Sequence, residues 1–379
     1  MTKLDELIQE LCPDGVKYLP IPELFITRNG YTPSKANNEF WENGTIPWFR
    51  MEDIRENGRI LTTATQYVSE KAVKGKLFPA DSIIIATSAT IGEHALIKVP
   101  SLANQRFTYL TLKDEFKDCV DMMFVFYYCF RLDEYCKSHL NQGNFASVDM
   151  KQFAAFKFPV PPLPVQREIV RILDNFTELT AELTAELTAR KQQYAYYRDK
   201  LLAFGDDVPK DTLENLCDFQ YGKGNSIPTA LGEYPVYGCN GVIGTTNVFN
   251  SIDAPVIGHI GSAGIVNWGK GKHFVTYNGT ICKVRPEKMI SRYAYHLLCS
   301  LHLERFVKWS QPFLSYSDFA EETVAVPPLN IQQRVVSILD RFDTLCTDLS
   351  SGLPAEIEAR QKQYEYYRDK LLTFGERFN

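Results

Sequence analysis

The chain has 379 residues, of which 45% are hydrophobic and 23% charged. That balance is ordinary for folded proteins and excludes a disordered polymer, and the length calls for more than one domain. Its net charge of −5 lacks the basic excess usual in a free-standing nucleic-acid binder, and nine cysteines without a Cys-x-x-Cys pair argue against a disulfide framework or a structural zinc.

The N-terminus, Met1-Thr-Lys-Leu-Asp-Glu6, lacks the basic-then-apolar order of a signal peptide. Residues Asp14 to Phe158 read as an α/β head with strand-like Ser82–Thr87 and Phe107–Leu112. The longest apolar run, Met122 to Phe130, has nine residues, which suits a buried segment and is too short to cross a membrane. Pro161, Pro162 and Pro164 then stop a strand and suit a helix start. Apolar residues follow at Ile169, Ile172, Phe176, Leu179, Leu183, Leu187, Tyr194, Tyr197 and Leu201, in steps that trace helical stripes. No Pro or Gly interrupts Val165 to Phe204, and forty residues of helix would span about 60 Å, which requires a partner along its length. Within it, Thr177 to Ala189 is a tandem Thr-Ala-Glu-Leu tetrad with Leu inward and Glu outward. Asp207 to Ala325 reads as a second α/β head with strand-like Ala254–Gly258 and Phe274–Tyr277. A second helical segment follows, and Ser351-Gly-Leu-Pro354 is expected to break it.

The chain repeats itself. Val160-Pro-Pro-Leu-Pro-Val-Gln-Arg-Glu-Ile-Val-Arg-Ile-Leu-Asp-Asn-Phe176 returns as Val326-Pro-Pro-Leu-Asn-Ile-Gln-Gln-Arg-Val-Val-Ser-Ile-Leu-Asp-Arg-Phe342, an offset of 166. Gln193-Tyr-Ala-Tyr-Tyr-Arg-Asp-Lys-Leu-Leu-Ala-Phe-Gly205 returns as Gln363-Tyr-Glu-Tyr-Tyr-Arg-Asp-Lys-Leu-Leu-Thr-Phe-Gly375, an offset of 170. The heads diverge, with fainter echoes: Thr87–Gly92 against Ile260–Ile265, Gln142–Ser147 against Gln311–Ser315, and Asp14-x-x-Lys17 against Asp207-x-x-Lys210. The pattern is a fixed scaffold bearing two different heads. It divides as residues 1–158, a head with an N-terminal closing segment; 159–206, a central helical spacer; 207–325, the second head; and 326–379, a C-terminal helical spacer. The two units are expected to share an approximate two-fold axis with antiparallel helices, and Leu4 to Leu11 is expected to close the circle near the end of the second helix.

Catalytic signatures are missing. Gly222-Lys-Gly and Gly269-Lys-Gly have neither the spacing nor the hydroxyl of a phosphate loop. Val160-Pro-Pro-Leu163 and Val326-Pro-Pro-Leu329 lack the polar residue of an amino-methyltransferase Asn/Asp-Pro-Pro-Tyr/Phe motif. Glu115-Phe-Lys117 matches the Glu-x-Lys of nucleases, but so short a triplet arises by chance. Six histidines show no metal-ligand spacing. The expectation is a non-enzyme with no catalytic or metal-binding residues.

The two Pro-Pro-Leu…Gln segments, the two Tyr-x-Tyr-Tyr-Arg-Asp-Lys-Leu-Leu blocks and the tetrads resemble the specificity subunit of type I restriction–modification systems. Thr32-Pro-Ser-Lys35…Phe40-Trp41…Gly44-Thr-Ile-Pro-Trp48 resembles the start of a target recognition domain of that family. The resemblance spans the whole length. It implies an α/β fold of two target recognition domains held apart by two long antiparallel helices, and a cytoplasmic complex. Each domain would read one half of a bipartite double-stranded DNA target. The partners it implies are two modification subunits and, for cleavage, restriction subunits. S-adenosylmethionine, ATP and magnesium would sit on those partners, with no cofactor in this chain. A helical pair spacing heads for glycans or proteins would show the same scaffold pattern; the family resemblance favours DNA.

Candidate DNA contacts in the first head are Ser34, Lys35, Arg50, Thr87, Ser88, Asn104, Gln105 and Arg106. Arg106 suits guanine, and Asn104 or Gln105 suits adenine. The second head is glycine-rich at Tyr237–Gly241, Gly258–Gly264 and Trp268–Lys272. Those glycines suit tight turns, and equally a close approach of backbone to phosphates. Candidates there are Lys223, Asn240, Ser262, Lys270 and Lys272, in a stretch, Gly222 to Arg285, whose acidic residues are only Glu233 and Asp253. Successive helix positions point about 100° apart, so three clustered tyrosines cannot all face one partner helix. Tyr196 with Arg198, and Tyr366 with Arg368, are therefore the candidate contacts to another subunit.

Overall fold

The computed structural model describes residues 2–141, 146–224, 231–308, 312–347 and 352–377. It divides into two compact units, Met1–Thr180 with Arg360–Asn379, and Ala181–Ala359. The uninterrupted sequence between Pro162 and Phe204 forms one central helix, Leu163–Leu202, which contributes residues to both units. The repeated segment forms two helices, Leu329–Thr347 and Leu353–Leu371, so helix is interrupted where Gly352 and Pro354 were expected to break it. Ser351, part of that expected break, lies outside the described residues.

The first unit carries the first head. A five-stranded sheet has the order Phe25–Asn29, Phe107–Leu112, Ser82–Ala86, His94–Ile97, Ile60–Leu61, and a three-stranded sheet has the order Tyr67–Val68, Ile46–Phe49, Leu102–Ala103. The run at Met122 is the start of a helix, Met122–Ser138, capped by the Asp121 carboxylate, which accepts from the Met123 N–H at 2.8 Å. It is apolar nearly all round because it is enclosed: Phe124 to Cys129 are buried in the core with Ile83, Leu96 and Leu110. Val165, Ile169 and Leu173 of the central helix join that core with Leu371, Leu372 and Phe374, while Phe176 stacks on Tyr367 at 5.6 Å. Increasing number on one helix therefore meets decreasing number on the other, and the pair is antiparallel.

The N-terminal helix, Lys3–Leu11, closes this unit. Its Leu4, Leu7 and Ile8 pack into the same core. Lys3 reaches the buried Glu168 at 3.0 Å, and hydrogen bonds from Arg171 and Lys3 hold the Glu168 carboxyl down at about 2. The Val16 N–H donates to the Gly375 carbonyl at 2.9 Å and the Arg377 N–H to the Val16 carbonyl at 3.0 Å, joining the two ends of the chain. Lys17–Pro20 then pairs antiparallel with Lys157–Val160.

The second unit repeats this plan without a chain break. Phe204-Gly205 leads directly toward Lys210–Thr212, which pairs antiparallel with Thr323–Ala325. The Asp14/Asp207 echo is one residue out: Lys17 pairs with Val160 but Lys210 with Ala325, the counterpart of Pro159, so Lys210 matches Tyr18. The second head is a six-stranded sheet in the order Cys217–Tyr221, Gly279–Val284, Ser251–Gly258, Val266–Val275, Tyr234–Gly238, Gly241–Thr246, covered by the helix Ser291–Ser300. Tyr197 stacks on Phe342 at 5.6 Å, and Arg190 and Lys191 lie beside Cys346, again an antiparallel pair. Each unit takes its phenylalanine from one repeat and its tyrosine from the other.

The glutamine of each Pro-Pro-Leu…Gln segment ties helix to head. Gln166 is fully buried; its Oε1 accepts from the Asp121 N–H at 2.8 Å, and its Nε2 donates to Cys119 O at 2.8 Å and Pro161 O at 2.6 Å. Gln332 is equally buried and repeats the clamp with the Ile290 N–H, Lys288 O and Pro327 O, all at 2.9 Å. Gln332→Ala removes three bonds and strands three backbone groups in a site closed to water. The expected cost is about 3 kcal/mol, read as a lower denaturant midpoint. An unchanged midpoint would contradict the clamp.

The hydrogen bonds also correct the alignment of the heads. The Thr87 N–H donates to Arg106 O at 2.9 Å and the His259 N–H to Asn278 O at 2.8 Å; Gly92 N–H donates to Ala86 O and Gly264 N–H to Gly258 O. Thr87 therefore matches His259, not Ile260, one residue earlier than the sequence echo placed it. Val148 N–H bonds Thr87 O as Leu314 N–H bonds His259 O, so Ser147 matches Phe313 and not Ser315. Gln142 and Gln311, the other end of that echo, lie outside the described residues. The echoes matched small residues by composition, whereas the repeated feature is the backbone ladder.

Candidate nucleic-acid interface

In the first head, five candidates meet. Lys35, Arg50, Asn104, Gln105 and Arg106 line an open cavity of about 260 Å³ with Trp48 at its wall. Arg50 leaves the end of the strand Ile46–Phe49 and is held by Asp53, which is fully buried. The Asp53 carboxylate accepts from the Arg50 N–H at 2.6 Å and from the Thr65 N–H and hydroxyl at 2.6 and 2.9 Å. Thr65 Oγ1 in turn accepts from Arg50 Nη2 at 3.0 Å. Arg50 Nε is buried without a hydrogen-bond partner. The Glu52 carboxylate lies 3.9 Å from it, an ion pair beyond hydrogen-bond reach.

Asn104-Gln105-Arg106 is a tight turn. Asn104 Oδ1 accepts from the Arg106 N–H at 2.9 Å, and the Gln105 side chain hydrogen-bonds Thr32 Oγ1. The Arg106 side chain is exposed and has no partner among the described residues. Three cations against the one acidic side chain, Glu52, make this cavity positive within an acidic chain. Thr87 joins its edge: its N–H bonds Arg106 O and its hydroxyl pairs with that of Thr108 at 3.0 Å. Ser88 bridges to Ser147 instead, and Ser34 uses its carbonyl to accept from Trp41 Nε1 at 3.0 Å.

The second head splits its candidates. Asn240 sits in the two-residue turn between Tyr234–Gly238 and Gly241–Thr246. A Cβ built on Gly258 would meet both Cys239 O and Ser262 O, at 2.6 and 2.2 Å, so Asn240 and Ser262 belong to adjoining loops. The Lys223 N–H donates to Val275 O at 3.0 Å and the Tyr277 N–H to Gly224 O at 2.9 Å, bringing Lys223 to the same loop end. Lys270 and Lys272 do not join them. Lys272 pairs with Ile252 while the loop begins beyond the Ile257–Val266 rung, five residues and roughly 17 Å along the strand. There Lys272 lies over the Phe249 ring at 4.9 Å. The two lysines therefore form a separate basic point.

The backbone ladder reveals residues that sequence reasoning missed. The Gly30 N–H donates to Phe107 O and the Asn104 N–H to Phe49 O; the Gly222 N–H donates to Gly279 O and the Thr276 N–H to Tyr237 O. Thr276-Tyr277-Asn278 is thus the second head's counterpart of Asn104-Gln105-Arg106. The same map puts Gly238 where Arg50 stands. Gly30 and Gly222 carry the approach: a Cβ on Gly30 would lie 2.4 Å from Ala103 O, and one on Gly222 2.4 Å from Val275 O. Those paired glycines are the one sequence signal that could have located the second turn.

The tyrosine clusters separate as helical geometry requires. Tyr194 turns inward to His296 Nδ1 at 2.8 Å, and Tyr364 packs on the first core. Tyr197 and Tyr367 take the stacking positions, which leaves Tyr196 and Tyr366 each 61% exposed. Arg198 and Arg368 do not accompany them. Arg198 is buried, and its guanidinium lies 5.8 Å from the Tyr194 ring; Arg368 lies 5.8 Å from that of Tyr364 and 4.7 Å from that of Phe130. A residue two positions on from an outward tyrosine points about 200° away, to the packed side.

No helix among the described residues is long and apolar enough to cross a membrane. A family model described as the type I restriction modification DNA specificity domain matches residues 13–190 and again 212–359. The chain is 46% identical over 375 residues to the type I restriction enzyme EcoprrI specificity subunit of Escherichia coli, covering 92% of this chain and 93% of that one. It is 34% identical over 275 residues to the EcoR124I/EcoR124II specificity subunit of Escherichia coli, covering 62% and 68%. The fold resembles a type I S subunit from M. genitalium with a TM-score of 0.55 at 17% identity, covering 94% of this chain and 95% of that one. It also resembles a chain from a structural study of type I complex assembly, with a TM-score of 0.62 at 16% identity, covering 95% and 98%.

Proposed function

Because the chain belongs to the type I restriction–modification DNA specificity family, we propose that it recognises a bipartite duplex DNA target for partner subunits and performs no chemistry itself. The carrying observation is the positive, arginine-bearing cavity of the first head, set on a backbone ladder that the second head repeats with different side chains. Two readers of one design but different chemistry suit two different half-sites. The helices that each head shares with its scaffold set the gap between them. Arg106 and Arg50 suit guanine edges or phosphates, and Lys35 suits phosphates. Lys223, Asn240 and Ser262 line the corresponding loops of the second head, and Lys270 and Lys272 supply charge apart from them.

Modification subunits, two by the family pattern, would bring S-adenosylmethionine. Restriction subunits would bring ATP and magnesium, and the assembly would work in the cytoplasm. Exposed Tyr196 and Tyr366, repeated in both units, suit contact with the modification subunits. Methylation mapping in a host with and without this chain tests the reading. A two-part motif should depend on the chain, and the purified chain alone should methylate nothing.

A further inference from the structure

The turn of the second head, Thr276-Tyr277-Asn278, has the place of Asn104-Gln105-Arg106 but none of its charge. Tyr277 is 40% exposed, and its ring lies 5.5 Å from that of His259 and 6.1 Å from that of Tyr221. His259 is buried and donates from Nδ1 to Leu314 O at 2.6 Å; the Tyr221 hydroxyl bonds Ser315 Oγ at 2.8 Å. Both rings beneath Tyr277 are therefore fixed. Asn278 is half-buried, its carbonyl is spent on the His259 N–H, and its side-chain amide has no partner among the described residues. The tip is a free amide beside an aromatic platform, on the rung where the first head holds a free guanidinium.

We propose that these equivalent turns are the base-reading elements of the two heads, and that Asn278, braced by Tyr277, reads an adenine in the half-site of the second head while Arg106 reads a guanine in the other. This rests on the DNA-recognition reading above. The chemistry follows from the free groups. A side-chain amide matches the adjacent donor and acceptor on the major-groove edge of adenine, and a guanidinium matches the two acceptors of guanine. Neither Asn240 nor Ser262 occupies this rung.

The test uses the full chain assembled with its modification subunits, S-adenosylmethionine and a random-sequence duplex library, with methylated sites sequenced. Asn278→Ala should relax one adenine position in one half-site, with about a 5- to 150-fold loss of discrimination there, and leave the other half intact. Arg106→Ala should do the same at one guanine in the opposite half. Asn278→Asp keeps size and fold but replaces the amide donor with an acceptor, and should reject that adenine; it stands in if the alanine variant does not fold. If the unmodified complex yields its two-part motif and the folded variants methylate that same motif unrelaxed, or both relax the same half, the turns are not the readers, though DNA recognition stands. If the unmodified complex yields no two-part motif, recognition itself fails and the proposal with it.

Discussion

Replacing residues 14–158 with the first head of another specificity subunit should convert one half of the methylated motif and leave the other half and the gap unchanged. The cuts suit the fold. Asp14 precedes the junction where Val16 bonds Gly375, and residue 158 lies in the strand Lys157–Val160 that pairs with Lys17–Pro20. Both ends of the graft therefore enter one short antiparallel ladder, and the Gln166 clamp lies outside it on the central helix. The graft replaces the surface bearing Lys35, Arg50 and Arg106. The change should be all-or-none, because each mismatched base pair costs about 1–3 kcal/mol and a half-site contains several. Motifs mapped for parent and chimera decide it; a chimera altered in both halves would show that the heads do not read independently.

Inserting one Thr-Ala-Glu-Leu unit after Leu187 should widen the unspecified gap by one base pair and keep both half-sites. The division between the units falls within the tetrads, at Thr180 and Ala181. Leu183 and Leu187 are half-buried there, and the intervening residues are exposed. An added unit therefore inserts into a largely exposed stretch of helix. It lengthens the helix by about 6 Å and rotates the residues beyond the insertion by roughly 40°. One base pair advances about 3.4 Å and turns roughly 35°, so the rotation fits one pair, and an oblique helix reduces the projected length toward one. An unchanged gap, or altered bases within a half-site, would refute the helix as the element that sets spacing.

The scaffold was legible in the sequence because it depends on side chains. Phe176, Tyr197, Phe342 and Tyr367 stack in reciprocal pairs, so both copies must keep them, and they surface as a repeat. The missing Pro and Gly between Val165 and Phe204 fixed the central helix, and the Gln of each Pro-Pro-Leu segment was visible although its clamp was not. The heads were legible only in part. Their likeness lies in backbone bonds such as Thr87–Arg106 and His259–Asn278, which nearly any side chain satisfies. Charge found Lys35, Arg50 and Arg106, which do converge. The same criterion favoured Lys270 and Lys272, which lie far from the equivalent rung, and passed over Tyr277 and Asn278, which carry no charge. Arg198 and Arg368, expected beside the exposed tyrosines, lie instead by Tyr194 and Phe130, because adjacency in sequence is not adjacency on a helix.

The most direct measurement is the methylome of a host carrying the modification subunits, compared with and without this chain. Two short specified blocks separated by a fixed unspecified gap should be methylated when the chain is present, and that pattern should vanish when it is removed. A continuous motif, or a pattern that persists without the chain, would contradict the account of two heads reading DNA from one scaffold.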